Sequence, residues 1–456
     1  MKVINDCDSL LGVEKNLSIF TGEFYNRTKY EYLPLRDRSR LPKETKLVII
    51  GSGLAGISIA AKAWHLGFKE KDLVILDENE YFAKQFIERT NNINQKVMRS
   101  PYRHHTGPSQ DISLSDYVRL NYKTLTHAER HQLHLDRLGE RSLPPLDFFI
   151  SHTMHTVFKH NLHRNAYKFK VKEINKVDNH WLIRDEDNKL IKTKYAILAL
   201  GGKVSNIELP DLRLPLYNSL SCSLSEYLND DTQNICVVGS GNTAAHIILS
   251  SLIKGKKVNW IIRNEEIYKC TDIPHEYWRD EGLYSFMKLT IPNRELKLQE
   301  IFHGSAMLEH FHLFKQFKKR GLLKVHEHTV IEKQIGSNKI KLSNGRVVQG
   351  DVVVISNGLI PAKLPLITPE IAIRRNFPVL KDYNLEVEKS VNLYIASTQS
   401  ALSLGPAAKN IEGARLACDR ILIDILKKET EENNLGNKNI AKIRRSFFGT
   451  TGAITG

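Results

Sequence analysis

Two short glycine-containing segments of the sequence nearly repeat each other, and they constrain the fold more than any other feature. The first, KLVIIGSGLAGISIAAKAW, begins at Lys46, and the second, NICVVGSGNTAAHIILS, begins at Asn234. Each has an apolar run typical of a buried strand, a Gly-x-Gly turn and an alanine-rich helical pattern. Such strand-turn-helix units bind dinucleotides at the edge of a parallel sheet. The sequence therefore predicts an α/β fold with two Rossmann-like dinucleotide-binding domains.

The segments that follow the two glycine loops also correspond. Each loop is followed, after an intervening segment, by alternating apolar and polar residues that predict a β-meander of antiparallel strands. Each meander ends in an apolar strand that runs into glycine, AILALGG in the first case and DVVVISNG in the second. We therefore expect one architectural plan to occur twice, with a final strand and a long amphipathic helix after it.

The first glycine loop comprises residues 51–56. Gly51 permits the tight turn, Gly53 lets the backbone approach a pyrophosphate, and Gly56 lets the helix pack closely on the strand. The next strand ends at Asp77 and Glu78, and an acid at this position accepts ribose hydroxyls and repels a 2′-phosphate. The loop therefore favours FAD or NAD over NADP. The predicted contacts are Gly51, Ser52, Gly53, Ala55, Gly56, Asp77 and Glu78.

The second glycine loop comprises residues 239–244, with alanine at the third glycine position. The strand after it ends in Arg263 instead of an acid. Arginine pairs well with a phosphate dianion, so this loop favours NADPH over NADH. The alternative is that Arg263 is a solvated residue at the end of a strand. The predicted contacts are Gly239, Ser240, Gly241, Asn242, Thr243 and Arg263.

Composition indicates a soluble globular protein whose basic surface attracts anions, so nucleotides, acidic substrates, nucleic acid or anionic lipid are all possible partners. The chain has 456 residues and a formal net charge of +15, but its Lys and Arg residues are dispersed and no nucleic-acid-binding motif occurs. Five cysteines without CxxC spacing argue against a disulfide framework and favour a reducing compartment. With no secretory segment, and with glycines interrupting the longest apolar stretch, we expect a cytoplasmic protein without membrane insertion. The sequence leaves homo-oligomerisation open.

Two glycine loops, each with a meander, and a C-terminal strand-helix return resemble the two-dinucleotide-binding-domain flavoproteins. Within that superfamily, GSGNTAAHI followed by VNWIIR looks most like the lysine and ornithine N-hydroxylases, and QKVMRSPYRHHTGPSQDISLSDYV is similar to their segment over the flavin. The resemblance implies FAD and NADPH as cofactors and transfer of one oxygen atom to a small-molecule substrate, a small amine or an amino-acid-derived compound. It places Arg99, Ser100, Tyr102 and His104 near the flavin ring or the substrate, although this segment is equally well interpreted as a packed loop. A helix beginning near Pro406 would point its N-terminus at the flavin.

The resemblance also implies a division of the chain. The predicted parts are a lead-in over 1–43, the first part of an FAD-binding domain over 44–230 with a histidine-rich insert over 80–165, an inserted NAD(P)H-binding domain over 231–365, the return of the FAD-binding domain over 366–430, and a flexible tail over 431–456.

Two features depart from the family pattern and keep alternatives open. The segment IASTQSALSLGP has Ser397 and Thr398 where the family has an acid, and no cysteine pair supports disulfide reduction. The alternatives to a monooxygenase are an NADPH:FAD reductase that passes electrons to a partner protein or small acceptor, and a non-catalytic dinucleotide-binding regulatory protein. The histidines of the insert have no nearby acidic or cysteine pattern that completes a closed site, so we predict no metal site.

Overall fold

The computed structural model describes residues 2–3, 32–205, 209, 211–380, 383–388 and 391–432. Residues 4–31 of the predicted lead-in and 433–456 of the predicted tail lie outside these ranges. The strands are β1 (Lys2–Val3), β2 (Glu44–Ile50), β3 (Leu73–Asp77), β4 (Ala166–Lys168), β5 (Val171–Val177), β6 (His180–Asp185), β7 (Leu190–Leu198), β8 (Gly202–Val204), β9 (Leu216–Asn218), β10 (Asn234–Val238), β11 (Lys257–Ile261), β12 (Ile267–Lys269), β13 (Ala306–Met307), β14 (Leu323–His326), β15 (Ile331–Gln334), β16 (Lys339–Leu342), β17 (Val347–Gln349), β18 (Val352–Ile355), β19 (Leu359–Pro361), β20 (Leu366–Thr368), β21 (Ile373–Arg374), β22 (Phe377–Pro378) and β23 (Leu393–Ile395).

The helices alternate with these strands in both glycine-loop units. They are α1 (Leu54–His65), α2 (Lys84–Asn92), α3 (Leu114–Leu120), α4 (His127–Arg137), α5 (Leu146–Lys159), α6 (Leu224–Tyr227), α7 (Asn242–Ile253), α8 (Asp280–Lys288), α9 (Ile291–Ile301), α10 (His310–Lys319), α11 (Ala401–Leu404) and α12 (Ile411–Glu432). Within the described residues, no helix has the length and apolar character needed to cross a membrane.

The first sheet has the order β20-β5-β6-β7-β2-β3-β4, and β23 pairs with the end of β7. Strands β23, β7, β2, β3 and β4 are parallel, as expected for runs of Val, Ile and Leu that are buried on both faces. Strands β5, β6 and β7 are antiparallel. This arrangement is the predicted Rossmann-like sheet with its meander, which confirms the fold class for the first unit.

The second sheet repeats the plan with the order β14-β11-β10-β18-β9, and all of its pairs are parallel. Its meander is the separate antiparallel sheet β15-β16-β17. The chain leaves the first unit after β7 and returns after β18, and the two connections pair antiparallel as β8 and β19. The second unit is therefore inserted into the first through a two-stranded ribbon.

A helical excursion of the second unit packs against the core of the first. Tyr277, Phe286 and Leu298 lie between β12 and β13 in sequence, yet they belong to the hydrophobic core that contains β2, β3 and α12. The remaining core of the second unit surrounds β10, β11 and α7. The excursion gives the two units a shared apolar contact in addition to the ribbon.

One cysteine departs from the sequence-based expectation. Cys270 is disulfide-bonded, whereas Cys222, Cys236 and Cys418 carry free thiols. The expectation rested on the spacing of cysteines along the chain, and spacing does not reveal pairs that tertiary folding brings together.

Candidate functional site

The first glycine loop connects β2 to α1 and has the geometry of a phosphate-binding turn. Gly51 has φ of +116°, and a Cβ added there would lie 2.4 Å from the carbonyl oxygen of Ala199. A Cβ at Gly56 would lie 1.8 Å from the carbonyl oxygen of Gly51, so the helix can approach the strand only with glycine there. A Cβ at Gly53 would meet no atom within 4 Å, and no side chain caps α1. The first turn of the helix is therefore open toward an anion.

The acid at the end of β3 is engaged by the protein itself. Asp77 Oδ2 accepts hydrogen bonds from the Ser52 backbone N–H (2.5 Å) and hydroxyl (2.9 Å). Its Oδ1 accepts from the Asn79 backbone N–H (2.9 Å) and side-chain amide (2.6 Å). A carboxylate has about four lone-pair sites, so these donors occupy Asp77. Asp77 holds the glycine turn, and the exposed carboxylate on the same side is that of Glu78.

A cleft of about 770 Å³ runs along the first glycine loop, within the size range of ligand pockets. Residues 51–55, Asp77 and Glu78 line one part of it, and Thr243 of the second glycine loop lines another. The two loops that the sequence analysis treats as separate sites therefore meet at one cleft.

The electrostatics of this cleft suit a ligand with several negative charges. Its charged lining comprises the acids Asp77 and Glu78 and the bases Lys84, Arg89, Lys170, Lys203, Lys363 and Lys409. Six basic side chains against two acids favour a pyrophosphate. The Lys409 Nζ atom also lies 3.3 Å from the ring centroid of Phe302. Sequence reasoning missed these bases because they come from five separate segments, with Lys84 and Arg89 both on α2, and no motif surrounds them.

The second glycine loop has the same backbone geometry as the first. Gly239 has φ of +131°, and a Cβ there would lie 2.2 Å from the carbonyl oxygen of Ser356. Gly241 precedes α7, which has no side-chain cap. The loop at Gly304 covers this turn, because a Cβ added at Gly304 would lie 2.8 Å from the Gly241 nitrogen. The second loop is thus less open than the first.

Arg263 follows β11 at the edge of the second sheet. Its side chain is exposed, and no ion pair connects it to another described residue. Asn242, at the start of α7, contacts His246 through its side-chain nitrogen at 3.2 Å. Of the predicted contacts of the second loop, Thr243 lines the cleft, whereas Arg263 is exposed just after the end of β11.

The four residues predicted near the flavin ring are placed differently from one another. Ser100 lines the cleft. The Arg99 guanidinium is buried and donates to the carbonyl oxygens of Lys269 (2.9 Å), Thr271 (3.1 Å) and Ser305 (3.0 Å). It also pairs with Asp272. Because these acceptors use its donors, Arg99 joins the insert to the second unit and does not face the cleft.

Tyr102 and His104 are buried away from the cleft as well. The Tyr102 side chain is 1% exposed, and burial raises the pKa of its phenol well above the ordinary range. The His104 ring packs edge-on against Trp278, with the ring centroids 4.7 Å apart. Both side chains are core groups, as the packed-loop interpretation of this segment predicts.

The buried pair His104 and His105 makes stability depend on pH. Burial lowers the pKa of each imidazole to about 3. An unfolded chain takes up these protons near pH 6.5 and the folded chain does not, so stability is complete above that pH and falls as the pH decreases toward 3. We expect each histidine to contribute about 1.4 kcal/mol of this loss per pH unit between pH 6 and 4.

Urea unfolding at several pH values checks this expectation. His104→Gln should flatten the pH dependence of the unfolding free energy, whereas His134→Gln, which changes an exposed histidine on α4, should leave it unchanged. Equal slopes for wild type and His104→Gln would show that His104 takes up a proton in the folded state.

The return segment brings the last part of the chain to the cleft. Ser397 and Thr398 line it, and the Ser397 hydroxyl accepts from the Gly201 N–H at 3.0 Å. The long helix begins at Ile411 instead of near Pro406, which starts a separate four-residue 3-10 turn. Asn410 causes this break, because its extended backbone ends the turn and its side chain accepts from Gly413 N–H at 3.0 Å. Asn410 and Ile411 line the cleft, while Pro406 is buried beneath it.

Solved structures with this fold include several flavoenzymes. The cadaverine monooxygenase of desferrioxamine biosynthesis from Erwinia amylovora, solved with FAD, has a TM-score of 0.67 at 14% identity over 84% of this chain and 95% of that chain. The ornithine N-hydroxylase of Kutzneria sp. 744, solved with reduced FAD, NADP+ and L-ornithine, has a TM-score of 0.66 at 12% identity over 85% and 100%. A bacillithiol disulfide reductase from Staphylococcus aureus has a TM-score of 0.58 at 15% identity over 85% and 99%. At these low identities, the TM-scores show a shared fold and nothing more specific.

The sequence itself gives the family. No curated protein sequence matches the chain. The profile described as pyridine nucleotide-disulphide oxidoreductase matches residues 45–283, which is just over half of the chain and includes both glycine loops. The chain therefore belongs to the pyridine nucleotide-disulphide oxidoreductase family, and it is a flavin-dependent oxidoreductase.

Proposed function

We propose that this protein is an FAD- and NADPH-dependent monooxygenase that hydroxylates the nitrogen of a small amine or an amino-acid-derived substrate. The observation that carries the proposal is the single cleft lined both by residues 51–55 and by Thr243. A cleft shared by two dinucleotide-binding loops suits an enzyme in which one bound nucleotide passes electrons to the other. The similarity in fold to enzymes that act on cadaverine and ornithine supports an amine as the substrate.

The residues of the first unit fit FAD. The open side of Gly53 and the uncapped start of α1 would bind the pyrophosphate, and Glu78 would accept the ribose hydroxyls. Ser397, Thr398 and the start of α12 would contact the flavin end. When bound there, FAD would supply the redox chemistry: acceptance of a hydride from NADPH and reactivity toward dioxygen in the reduced form.

The chain's own groups supply binding and orientation. The positive end of α12, a helix of 22 residues, stabilises negative charge at its side of the cleft. Arg263 binds the 2′-phosphate that distinguishes NADPH from NADH, and the start of α7 binds its pyrophosphate. In the overall reaction an N–H becomes N–OH, the second oxygen atom leaves as water, and NADPH supplies the two electrons.

An NADPH:FAD reductase is the second candidate. The observation that favours it is the burial of Arg99, Tyr102 and His104, which leaves Ser100 as the one residue of this predicted group at the cleft. Disulfide reduction has less support, because none of the described cysteines lines the cleft.

Product analysis separates the two candidates. The flavin-loaded protein is reduced anaerobically with NADPH and mixed with oxygenated buffer that contains cadaverine, lysine or ornithine. We expect a hydroxylamine, detected by mass spectrometry, in near-stoichiometric ratio to the NADPH consumed for one of these amines. Hydrogen peroxide as the sole oxygen product with every amine, together with rapid reduction of an added electron acceptor, would favour the reductase.

A further inference from the structure

We propose that His65, Asp111 and His160 form a divalent transition-metal site, with Zn²⁺ as the ion that fits best. These three side chains come from the end of α1, from the loop before α3 and from the residue after α5. One ligand atom of each lies within 4.8 Å of the other two. The site is separate from the cleft, which none of the three residues lines.

The ligand atoms are close enough together to share one ion. His65 Nε2 lies 3.2 Å from Asp111 Oδ1, and His160 Nε2 lies 3.0 Å from Asp111 Oδ2. The two Nε2 atoms are 3.0 Å apart. A tetrahedral zinc ion with bonds of about 2.0–2.1 Å holds its ligand atoms about 3.3 Å from one another. The Nε2–Nε2 distance and the distance from His160 Nε2 to Oδ2 are close to this value, and one ligand atom of each residue lies within 4.8 Å of the other two.

The hydrogen bonds around the group leave lone pairs that point inward. His160 Nδ1 lies 2.7 Å from the carbonyl oxygen of Thr156, which can only accept, so Nδ1 carries the proton in the neutral ring. The Nε2 lone pair of that ring faces Asp111. Asp111 Oδ2 is buried and accepts no hydrogen bond of normal geometry from any described residue. A lone pair facing a carboxylate oxygen is repulsive, and a cation between them replaces the repulsion by two bonds.

His65 is the most exposed member of an otherwise buried group. The side chains of Asp111 and His160 are 4% and 0% exposed, whereas that of His65 is 26% exposed. His65 thus leaves a path for the ion and a position for a water molecule as fourth ligand. Trp64 packs edge-on against both imidazoles. Lys159 binds Asp111 Oδ1 at 2.6 Å and leaves Oδ2 to the ion.

The contact between His160 Nδ1 and the Thr156 carbonyl is the outer hydrogen bond that metal-binding histidines usually make. Two imidazoles with one carboxylate suit zinc, and the alternative of magnesium is disfavoured because that ion prefers oxygen ligands.

Helix α1 has 12 residues, so His65 lies about 18 Å from the glycine turn at its other end. A metal at this distance acts on structure, by fixing the insert to the first helix.

The proposed site differs from the sequence-based prediction of no metal site, because the sequence pattern does not relate these three residues. The insert contains many histidines, and the acid Asp111 is 49 residues from His160 and 46 from His65, so no local motif relates the three. The histidines of α4 are not part of the group.

Isothermal titration of the full-length, flavin-loaded protein with ZnCl₂, after treatment with a chelator and dialysis, tests the site. We expect saturable binding of one equivalent, with no comparable response to MgCl₂. Asp111→Asn and His65→Ala should abolish the saturable binding, and His134→Ala, which removes an exposed histidine of α4, should retain it. His65→Ala is included because His65 is partly exposed, so we expect the variant to fold, and the bound flavin reports that each variant is folded.

Two results would overturn the proposal. One is a wild-type protein that binds no zinc, which would make the group a hydrogen-bonded His-Asp-His network. The other is zinc binding that persists unchanged in Asp111→Asn and His65→Ala. Neither readout depends on oxygenation or on NADPH, so the site is tested independently of the proposed function.

Discussion

Replacing Gly53 with alanine is expected to give a folded protein that does not retain flavin. The backbone of Gly53 has φ of −72°, which alanine adopts freely, and an added Cβ meets no atom within 4 Å. The methyl group occupies the side on which a pyrophosphate must approach. The loss of hydrogen bonds to charged phosphate oxygens, worth about 1.5–3 kcal/mol, weakens flavin binding roughly 10- to 100-fold. Flavin absorbance relative to protein absorbance after gel filtration measures the effect.

Gly56→Ala is the matched control, because it changes the same loop but is expected to reduce the stability of the fold. The added Cβ would lie 1.8 Å from the Gly51 carbonyl oxygen, so the helix must move away from the strand. We expect a loss of about 1–3 kcal/mol in the unfolding free energy of the flavin-free protein, measured in urea, and no such loss for Gly53→Ala. Wild-type flavin affinity in Gly53→Ala would refute the assignment of this loop to the flavin pyrophosphate.

Replacing Arg263 with alanine is expected to remove the proposed preference for NADPH. Arg263 is exposed at the end of its strand, without an ion pair to another described residue, so its loss should leave the fold intact. A charge-assisted contact to the 2′-phosphate is worth about 1.5–3 kcal/mol, so the KM for NADPH should rise roughly 10- to 100-fold while the KM for NADH stays unchanged. Steady-state oxidation of each cofactor gives both values.

Lys257→Ala controls for a general loss of positive charge. Lys257 is exposed at the opposite end of the same strand, β11, so it changes the net charge by the same amount without changing the predicted phosphate contact. An equal rise in KM for NADPH in both variants would mean that long-range attraction, and not a contact by Arg263, determines cofactor choice.

The repeated plan of the fold could be predicted because local sequence determines it. The glycine turns, the helix from Leu54 to His65 and the meander strands each follow from the period of apolar residues over a short window. The similarity between the two loops strengthened the prediction, because both loops had to be explained by the same strand-turn-helix structure.

The contacts that the sequence did not predict depend on the folded backbone, and some of them join distant segments. Arg99 looked available for catalysis because its acceptors lie about 170 residues away in sequence. Asp77 has the position of a ribose-binding acid, but its use by Ser52 and Asn79 follows from the three-dimensional turn. Helix α12 begins at Ile411 and not near Pro406, because the backbone of Asn410 is extended and its side chain caps the helix. A proline in the sequence does not by itself indicate this.

The contacts of Arg99 also limit how the molecule can move. One buried ion pair, Arg141 with Glu309 at 3.0 Å, lies beside it, and Arg141 donates to the Arg99 carbonyl oxygen at 2.9 Å. Breaking a buried pair of this kind costs about 3–5 kcal/mol. A swinging rotation of the second unit about its two-stranded ribbon would have to break both. We therefore expect the enzyme to work as a rigid body, in which spent cofactor is exchanged through the mouth of a stationary cleft between successive turnovers.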